Sequence, residues 1–434
     1  MRGGGAVVSV AQCQKAPSTR LPALIPGRAP LSGYAHATRL AYRVSSWYSD
    51  VVYETILFPY TALVPVSGWR RMASLTWLHV SDLHLKGPPN GPEYNYWKEN
   101  FERLVLDVKR AVRQLDLSVD LVFLTGDIAY KGSKEEFDSA KAHLDSLLAA
   151  CGHVDPHEAL FIVPGNHDVN WQKQGKMPAL VVESWLEREE KYERIENILR
   201  PGPDRRRLLE GIQDFAGFCE EYCADQTWTA ASAAEGADYY VRPFSTGDTE
   251  CVAIVGMNSA MFACRGRDNK GDDQGRLYIG KSVVHQALTQ DVARDVPGAK
   301  ACILLLHHPL YWLSELEVRE IVPIVAERCD ILLHGHLHYP LSYLLQTPDR
   351  SLLALGSGPG YESIWSPNSY NFGTLDLATL KAQVFLRKCD PATRVWQADS
   401  LLYEDTPNGV LEIDLSGRAS APAEAAAPEE GDVN

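Results

Sequence analysis

The chain has 434 residues, 45% of them hydrophobic, which is enough to bury one large core or two modest ones and excludes disorder for most of its length. A formal charge of -14 and the lack of any dense Lys/Arg run disfavour long nucleic acid as a partner, since a polyanion would be repelled. The nine cysteines are scattered, and the closest pair, Cys219 and Cys223, has the spacing of a helical turn without the second half of a zinc site; reduced, mostly buried thiols and a cytoplasmic location are expected.

In chain order, the first 71 residues stand apart. Arg2, Lys15, Arg20, Arg28, Arg39, Arg43, Arg70 and Arg71 face only Asp50 and Glu54, so this stretch carries about +6 and the remainder about -20. The most apolar part, 56–66, is too short to span a bilayer and is interrupted by Pro59 and Pro65, so no transmembrane segment is expected. We read residues 1–71 as an N-terminal extension, either mistranslated upstream of a true start at Met72 or an Arg-rich targeting leader, with the former preferred.

From Leu75 to Val80 a short apolar run ends in Ser81-Asp82 and predicts a buried strand. Phe101, Leu104, Val105, Val108 and Val112 then share one face at helical spacing. A strand over 121–125 runs into Gly126-Asp127, a helix covers roughly 134–149, and a strand over 160–163 runs into Pro164-Gly165-Asn166-His167-Asp168. Strand, crossover helix, strand is the pattern of a largely parallel sheet, whose sites form beyond the carboxyl ends of the strands.

Residues 171–240 read as a charged helical insertion or cap, including 183–200, before strands resume near Tyr240 and Cys251. Two apolar strands, 302–306 and 330–333, end in His307-His308-Pro309 and His334-Gly335-His336-Leu337-His338. Short alternating runs over 341–413 suggest a second, antiparallel sheet, and the Ala/Pro/Glu-rich tail over 416–434 is expected to be disordered, which leaves 72–415 as the principal domain.

Five polar clusters thus fall at strand ends: Asp82-Leu83-His84, Gly126-Asp127, Gly165-Asn166-His167-Asp168, His307-His308-Pro309 and Gly335-His336-Leu337-His338. An Asp-x-His or His-x-His alone is more often structural than catalytic; all five in this order are not explained by chance. Together, over roughly 75–403, they resemble the calcineurin-like metallophosphoesterase family, with spellings most similar to its cyclic-nucleotide phosphodiesterase-like branch.

The resemblance implies an α/β fold, a four-layer α/β/β/α sandwich of two mixed sheets with a helical insertion. It also implies two divalent or mixed-valence metal ions. Two ions roughly 3.5 to 4 Å apart can hold a hydroxide and clamp phosphoryl oxygens, and a carboxylate must bridge them. By resemblance that bridge is Asp127; Asp82, His84 and His338 complete one site, and Asn166, His307 and His336 the other. Two carboxylates and one hydroxide against two divalent ions leave about +1, which attracts a phosphate. Oxygen and imidazole ligands without thiolate suit manganese, iron or zinc.

By the same resemblance His167 is the catalytic histidine, stabilising charge on the phosphorane and protonating the leaving oxygen, while Asp168 either orients it or caps the loop. His308 either touches substrate or packs. Gly126-Asp127-Ile128-Ala129-Tyr130 also fits the Gly-Asp-x-x-Tyr pattern of purple acid phosphatases, in which the tyrosine is an iron ligand. Those enzymes lack a histidine where this chain has His84, so His84 is expected to fill that coordination place.

His36, His79, His143, His153, His157, His285 and His334 have no ligand spacing, and His79, inside the first strand, reads as a core side chain. Tyr361 and Trp365 follow Gly356-Ser357-Gly358 and are expected to line a substrate mouth. The expected activity is hydrolysis of a small phosphodiester, such as a cyclic nucleotide. Phosphomonoester hydrolysis, nuclease action and a non-catalytic scaffold are the alternatives, in that order.

Overall fold

The computed structural model describes residues 74–87, 91–153, 155–184, 188–223, 228, 238–246, 250–264, 272–348, 350–361, 368–404, 406 and 408–417. The extension expected over 1–71, Trp365, and the tail beyond Gly417 lie outside these residues. Among the described residues no helix is long and apolar enough to cross a membrane.

The first three strands, β1 (Ser74–Val80), β2 (Leu121–Leu124) and β3 (Leu160–Ile162), run parallel and adjacent, joined through helices α1 (Pro92–Gln114) and α2 (Lys134–Cys151). Every residue of β2 and β3 is buried, as a strand covered on both faces requires. Helix α1 buries Trp97, Phe101, Leu104, Val108 and Ala111 along one stripe, so the predicted apolar face is correct while the helix starts a turn or more earlier, at a proline suited to the first position. Helix α2 opens with a capping box between Ser133 and Glu136 and closes on Gly152 at φ 98°, a left-handed conformation that glycine adopts without strain.

After a short helix α3 (Pro156–Ala159) and the site loop, the segment read as an insertion forms α4 (Met177–Val182), α5 (Arg188–Ile198), α6 (Pro203–Leu208) and α7 (Gln213–Cys223). Helix α7 packs on α2 and α5 on the later helix Glu315–Arg328, so this segment lies against helices that serve both sheets. Cys219 and Cys223 are buried on α7, and the eight described cysteines are free thiols.

Strands β4 (Tyr239–Thr246), β5 (Glu250–Met257), β6 (Ala301–Leu305), β7 (Ile331–His334), β8 (Ser342–Gln346) and β9 (Ser351–Gly356) form a six-stranded mixed sheet in the order β4-β5-β6-β7-β9-β8. Strands β10 (Ser369–Asp376), β11 (Lys381–Cys389), β12 (Trp396–Ala398) and β13 (Val410–Asp414) return to the first sheet, whose order is β12-β11-β10-β1-β2-β3 with β13 beside β11.

The architecture is therefore α/β with two mixed sheets, but residues 341–413 do not make a sheet of their own. β8 and β9 extend the sheet of β5 to β7, while β10 pairs antiparallel with β1 from Ser74↔Asp376 to His79↔Asn371. The reason is that a lone buried strand such as β1 would otherwise carry a row of unpaired N–H and C=O groups along one edge. Both sheets feed one hydrophobic core. Asn371 ties them, its Nδ2 lying 3.4 Å from His79 Nδ1 of one sheet and 3.4 Å from the Gly356 carbonyl of the other. His79 also contacts Thr125 Oγ1 at 2.9 Å, which makes it the satisfied core side chain its position suggests.

Where α1 lies on this sheet, the buried carboxylate of Asp107 accepts from Arg387 Nε at 3.1 Å and Nη2 at 2.7 Å and from the Tyr370 hydroxyl at 2.7 Å. Removing one partner of a buried pair strands the other charge. Asp107→Ala should lower unfolding stability by about 3 to 5 kcal/mol. Urea denaturation checks this, and the double variant Asp107→Leu/Arg387→Met should recover much of the loss; a single-variant loss below about 1 kcal/mol would show the pair to be dispensable.

Candidate metal centre

The five polar clusters meet at one place because each sits just past the carboxyl end of a strand in one of the two sheets. Asp82 and His84 follow β1, Asp127 follows β2, Asn166 and His167 follow β3, His307 follows β6, and His336 and His338 follow β7. The backbone here is unusual. Of the eight non-glycine residues with positive φ among the described residues, five are Asp82 (53°), His84 (46°), Asp127 (55°), His336 (71°) and His338 (55°). Such conformations cost on the order of 1 to 3 kcal/mol each and persist only where the surroundings enforce them.

That enforcement is visible. Asp82 N donates to Gly126 O at 3.0 Å, His84 N to Asp127 O at 2.8 Å, and Gly335 N to His307 O at 3.0 Å. Carboxylates add their own clamps: His336 N donates to Asp82 Oδ2 at 3.0 Å and His167 N to Asp127 Oδ1 at 2.8 Å. At Gly165 a Cβ would fall 2.1 Å from Asp127 Oδ1, so only glycine lets the third loop approach that carboxylate.

The donor atoms converge. His84 Nε2 lies 3.3 Å from His338 Nε2 and 3.7 Å from Asp82 Oδ1, which itself is 3.4 Å from His338 Nε2. His307 Nε2 lies 3.1 Å from Asn166 Oδ1 and 3.2 Å from His336 Nδ1. Asp127 Oδ2 is placed between these two groups, 3.8 Å from His84 Nε2 and 3.4 Å from His307 Nε2. Asp82, His84 and His338 form one set with metal-ligand proximity, while Asp82, Asp127 and His307, and His84, Asp127 and His167, form sets that link across Asp127. All seven residues expected as ligands are thus gathered.

Their charge states suit a cation. Burial pushes His84 down to about 4 and His336 down to about 3, so near neutral pH both are neutral imidazoles with lone pairs to offer. For His307 burial opposes the charge, yet the Asp127 and Asp82 carboxylates raise it to about 9; the field that would protonate this ring is the field a metal ion would feel. Its Nδ1–H donates to Thr125 O at 2.7 Å, which turns Nε2 toward Asn166 and Asp127. Neutral imidazole nitrogens, an amide oxygen and buried carboxylates within contact of one another make a donor set that fits two metal ions.

Asp168 takes the second of the two roles its position allowed. Its buried carboxylate does not hold the His167 ring: it accepts from Ala129 N and from Gly165 N, each at 2.9 Å, and so pins the second loop to the third. Burial and the nearby Asp127 push it up to about 8, as expected of a carboxyl embedded in a loop junction. The His167 ring is instead oriented by the Tyr130 carbonyl, which accepts from Nδ1 at 2.8 Å and leaves Nε2 for the site. The Tyr130 ring stacks beside His167 at 5.1 Å, with Lys86 Nζ 4.6 Å above it.

His308 is buried and contacts Ser259 Oγ at 3.0 Å through Nδ1, yet it also forms a ligand-like group with His307 and His336. Tyr361 is buried against Tyr96 and so packs instead of lining a mouth. Missing from the sequence reading were the two carbonyl orienters, which no side-chain pattern reveals, and two tryptophans, Trp171 and Trp312, that border the centre. Trp171 Nε1 donates to Asn166 O at 3.2 Å, and Trp312 packs edge-on against His336 with centroids 4.0 Å apart.

Residues 75–340 match the model of the family described as calcineurin-like phosphoesterase. No curated protein gives a significant match. Among solved structures, the chain is similar to the purple acid phosphatase PPD1 of yellow lupin (Lupinus luteus) at 13% identity and TM-score 0.40, covering 76% of this chain and 53% of that one. It is also similar to the Haemophilus influenzae NAD nucleotidase NadN (12%, TM-score 0.34, 78% and 55%) and to the calcineurin-like phosphoesterase YfkN of Bacillus subtilis (13%, TM-score 0.34, 75% and 88%). The chain spans about half the length of the first two.

Proposed function

On the premise that this chain belongs to the calcineurin-like phosphoesterase family, metal-dependent hydrolases of phosphate esters, we propose that its substrate is a small phosphodiester. The observation that carries the reading is the position of the Asp127 carboxylate between the Asp82–His84–His338 group and the Asn166–His307–His336 group. These residues would hold two ions, which when bound supply positive charge to the phosphoryl oxygens and lower the pKa of water.

Around the ions the protein supplies position and a proton. The loop lattice fixes the donor atoms before substrate arrives, so little reorganisation remains at the moment of reaction. His167, held by the Tyr130 carbonyl, turns its Nε2 to the site, where it stabilises developing charge and delivers a proton to the leaving oxygen. Asp168 acts as a positioning residue by keeping the loops of Asp127 and His167 in register. The Asp-x-His and Gly-Asn-His-Asp spellings favour a diester, and the net charge of -14 favours a small one over a polymer carrying many phosphates.

Protein loaded in turn with manganese, iron and zinc should hydrolyse bis(4-nitrophenyl) phosphate faster than 4-nitrophenyl phosphate, act on 3′,5′-cyclic nucleotides, and cleave double-stranded DNA little under the same conditions. A monoester preference would replace the diester reading with phosphomonoesterase, and efficient DNA degradation would replace it with nuclease. No turnover of any of these would remove the activity itself.

A further inference from the structure

Trp171 and Trp312 line one open cleft beside the metal centre, together with Asn166 and His336. The two indoles come from different parts of the chain and are each anchored to the centre. Trp171 is bonded to the Asn166 carbonyl and lies 5.9 Å from the His167 ring, while Trp312 packs on His336 and stacks 6.3 Å from His308. Both remain half-buried, so each keeps part of its ring open. Asp272 and Asp273 also border the cleft, and the Asp273 carboxylate is held by Cys264 N at 3.2 Å.

Neither indole is needed to bind metal or move a proton, and large half-buried aromatic rings beside a charged centre are suited to stacking on a flat apolar group. We propose that this cleft binds a planar aromatic group of the substrate, one carrying N–H donors at its edge that the two carboxylates accept, and that it selects such esters over alkyl esters. A second phosphate in this position would meet two carboxylates and be repelled. The chemistry fits a nucleobase or an amino-substituted aryl group. This inference rests on the proposed phosphodiesterase reading.

The test uses diesters that share one leaving group, 4-nitrophenolate, and differ in the other ester: methyl, phenyl and 5′-adenosyl. Each kcat/KM for the metal-loaded full chain is divided by the rate of hydroxide-catalysed hydrolysis of the same compound. Stacking on aromatic side chains is worth about five- to a hundredfold, so the phenyl-to-methyl ratio should be about ten in the wild type. It should stay high in Trp312→Phe and fall toward one in Trp312→Ala. An adenosyl ester better than the phenyl ester is expected from the N–H donors at the base edge, and one that is no better overturns the part assigned to the two carboxylates.

A wild-type phenyl-to-methyl ratio near one overturns the proposal while leaving the phosphodiesterase reading standing. If the diesters are not hydrolysed at all, that reading fails, and the cleft is then read by binding. Phenylphosphonate should quench the tryptophan emission of metal-loaded protein at lower concentration than methylphosphonate; equal concentrations would overturn the proposal.

Discussion

Asp127→Ala should empty both metal positions together and reduce kcat/KM at least about 10³-fold, because the metals contribute several kcal/mol of charge stabilisation at 1.36 kcal/mol per factor of ten. The expectation follows from position. One oxygen of this carboxylate faces His84 at 3.8 Å and His307 at 3.4 Å, so its removal withdraws a ligand from each group. The other oxygen accepts from His167 N at 2.8 Å, so the loop of His167 loosens as well. Asn166→Ala, by contrast, removes only the amide oxygen beside His307 and should weaken mainly that side. Elemental analysis of the purified variants decides between these outcomes. Two metals and normal turnover in Asp127→Ala would show that the bridge has been assigned to the wrong residue.

His167→Ala should behave differently, retaining both metals while turnover falls by about 10²- to 10⁴-fold, the range typical of general acid–base catalysis. Its Nδ1 is occupied by the Tyr130 carbonyl, which leaves Nε2 facing the site. The loss should be smaller for an ester whose leaving group departs readily as an anion, since such a group needs no proton. Comparing 4-nitrophenyl and alkyl leaving groups in the variant therefore separates proton delivery from metal loss. An equal drop for both, with metal content intact, would assign His167 to charge stabilisation alone, and an unchanged rate would remove it from the reaction.

The positions of the candidate ligands were legible because each sits immediately past an apolar run, and a strand that is buried on both faces announces its end when polar residues appear. What the residues do to one another was less legible. Asp168 in the sequence could equally have been a side chain that orients a histidine or one that caps a loop; only the placement of Ala129 N and Gly165 N decides it. Backbone carbonyls such as Tyr130 O and Thr125 O carry no residue code, so their part in aiming His167 and His307 could not be read.

The partition of strands between the sheets escaped for a related reason. Alternation over 341–413 reports that one face of a strand is half covered, and says nothing of which distant strand it will join. β10 and β1 pair although nearly the whole domain lies between them in sequence. Trp171 and Trp312 likewise gain meaning only once the loop after β3 and the turn after β6 meet. The helix Glu315–Arg328 was masked by Pro323 within it, a residue that ordinarily signals a break.

The strand ends that supply Asp82, His84, Asp127 and Asn166 belong to one sheet, and those that supply His307, His336 and His338 belong to the other. A ribosome therefore releases the oxygen-rich half of the centre long before most of the imidazoles exist. Early capture of a metal would be weak, since only part of the candidate ligand set is then present. Full affinity arises only when the two sheets have closed on each other and the last histidine is in place. The proposed centre thus depends on finished folding: a chain with a misplaced strand in either sheet lacks part of the candidate ligand set.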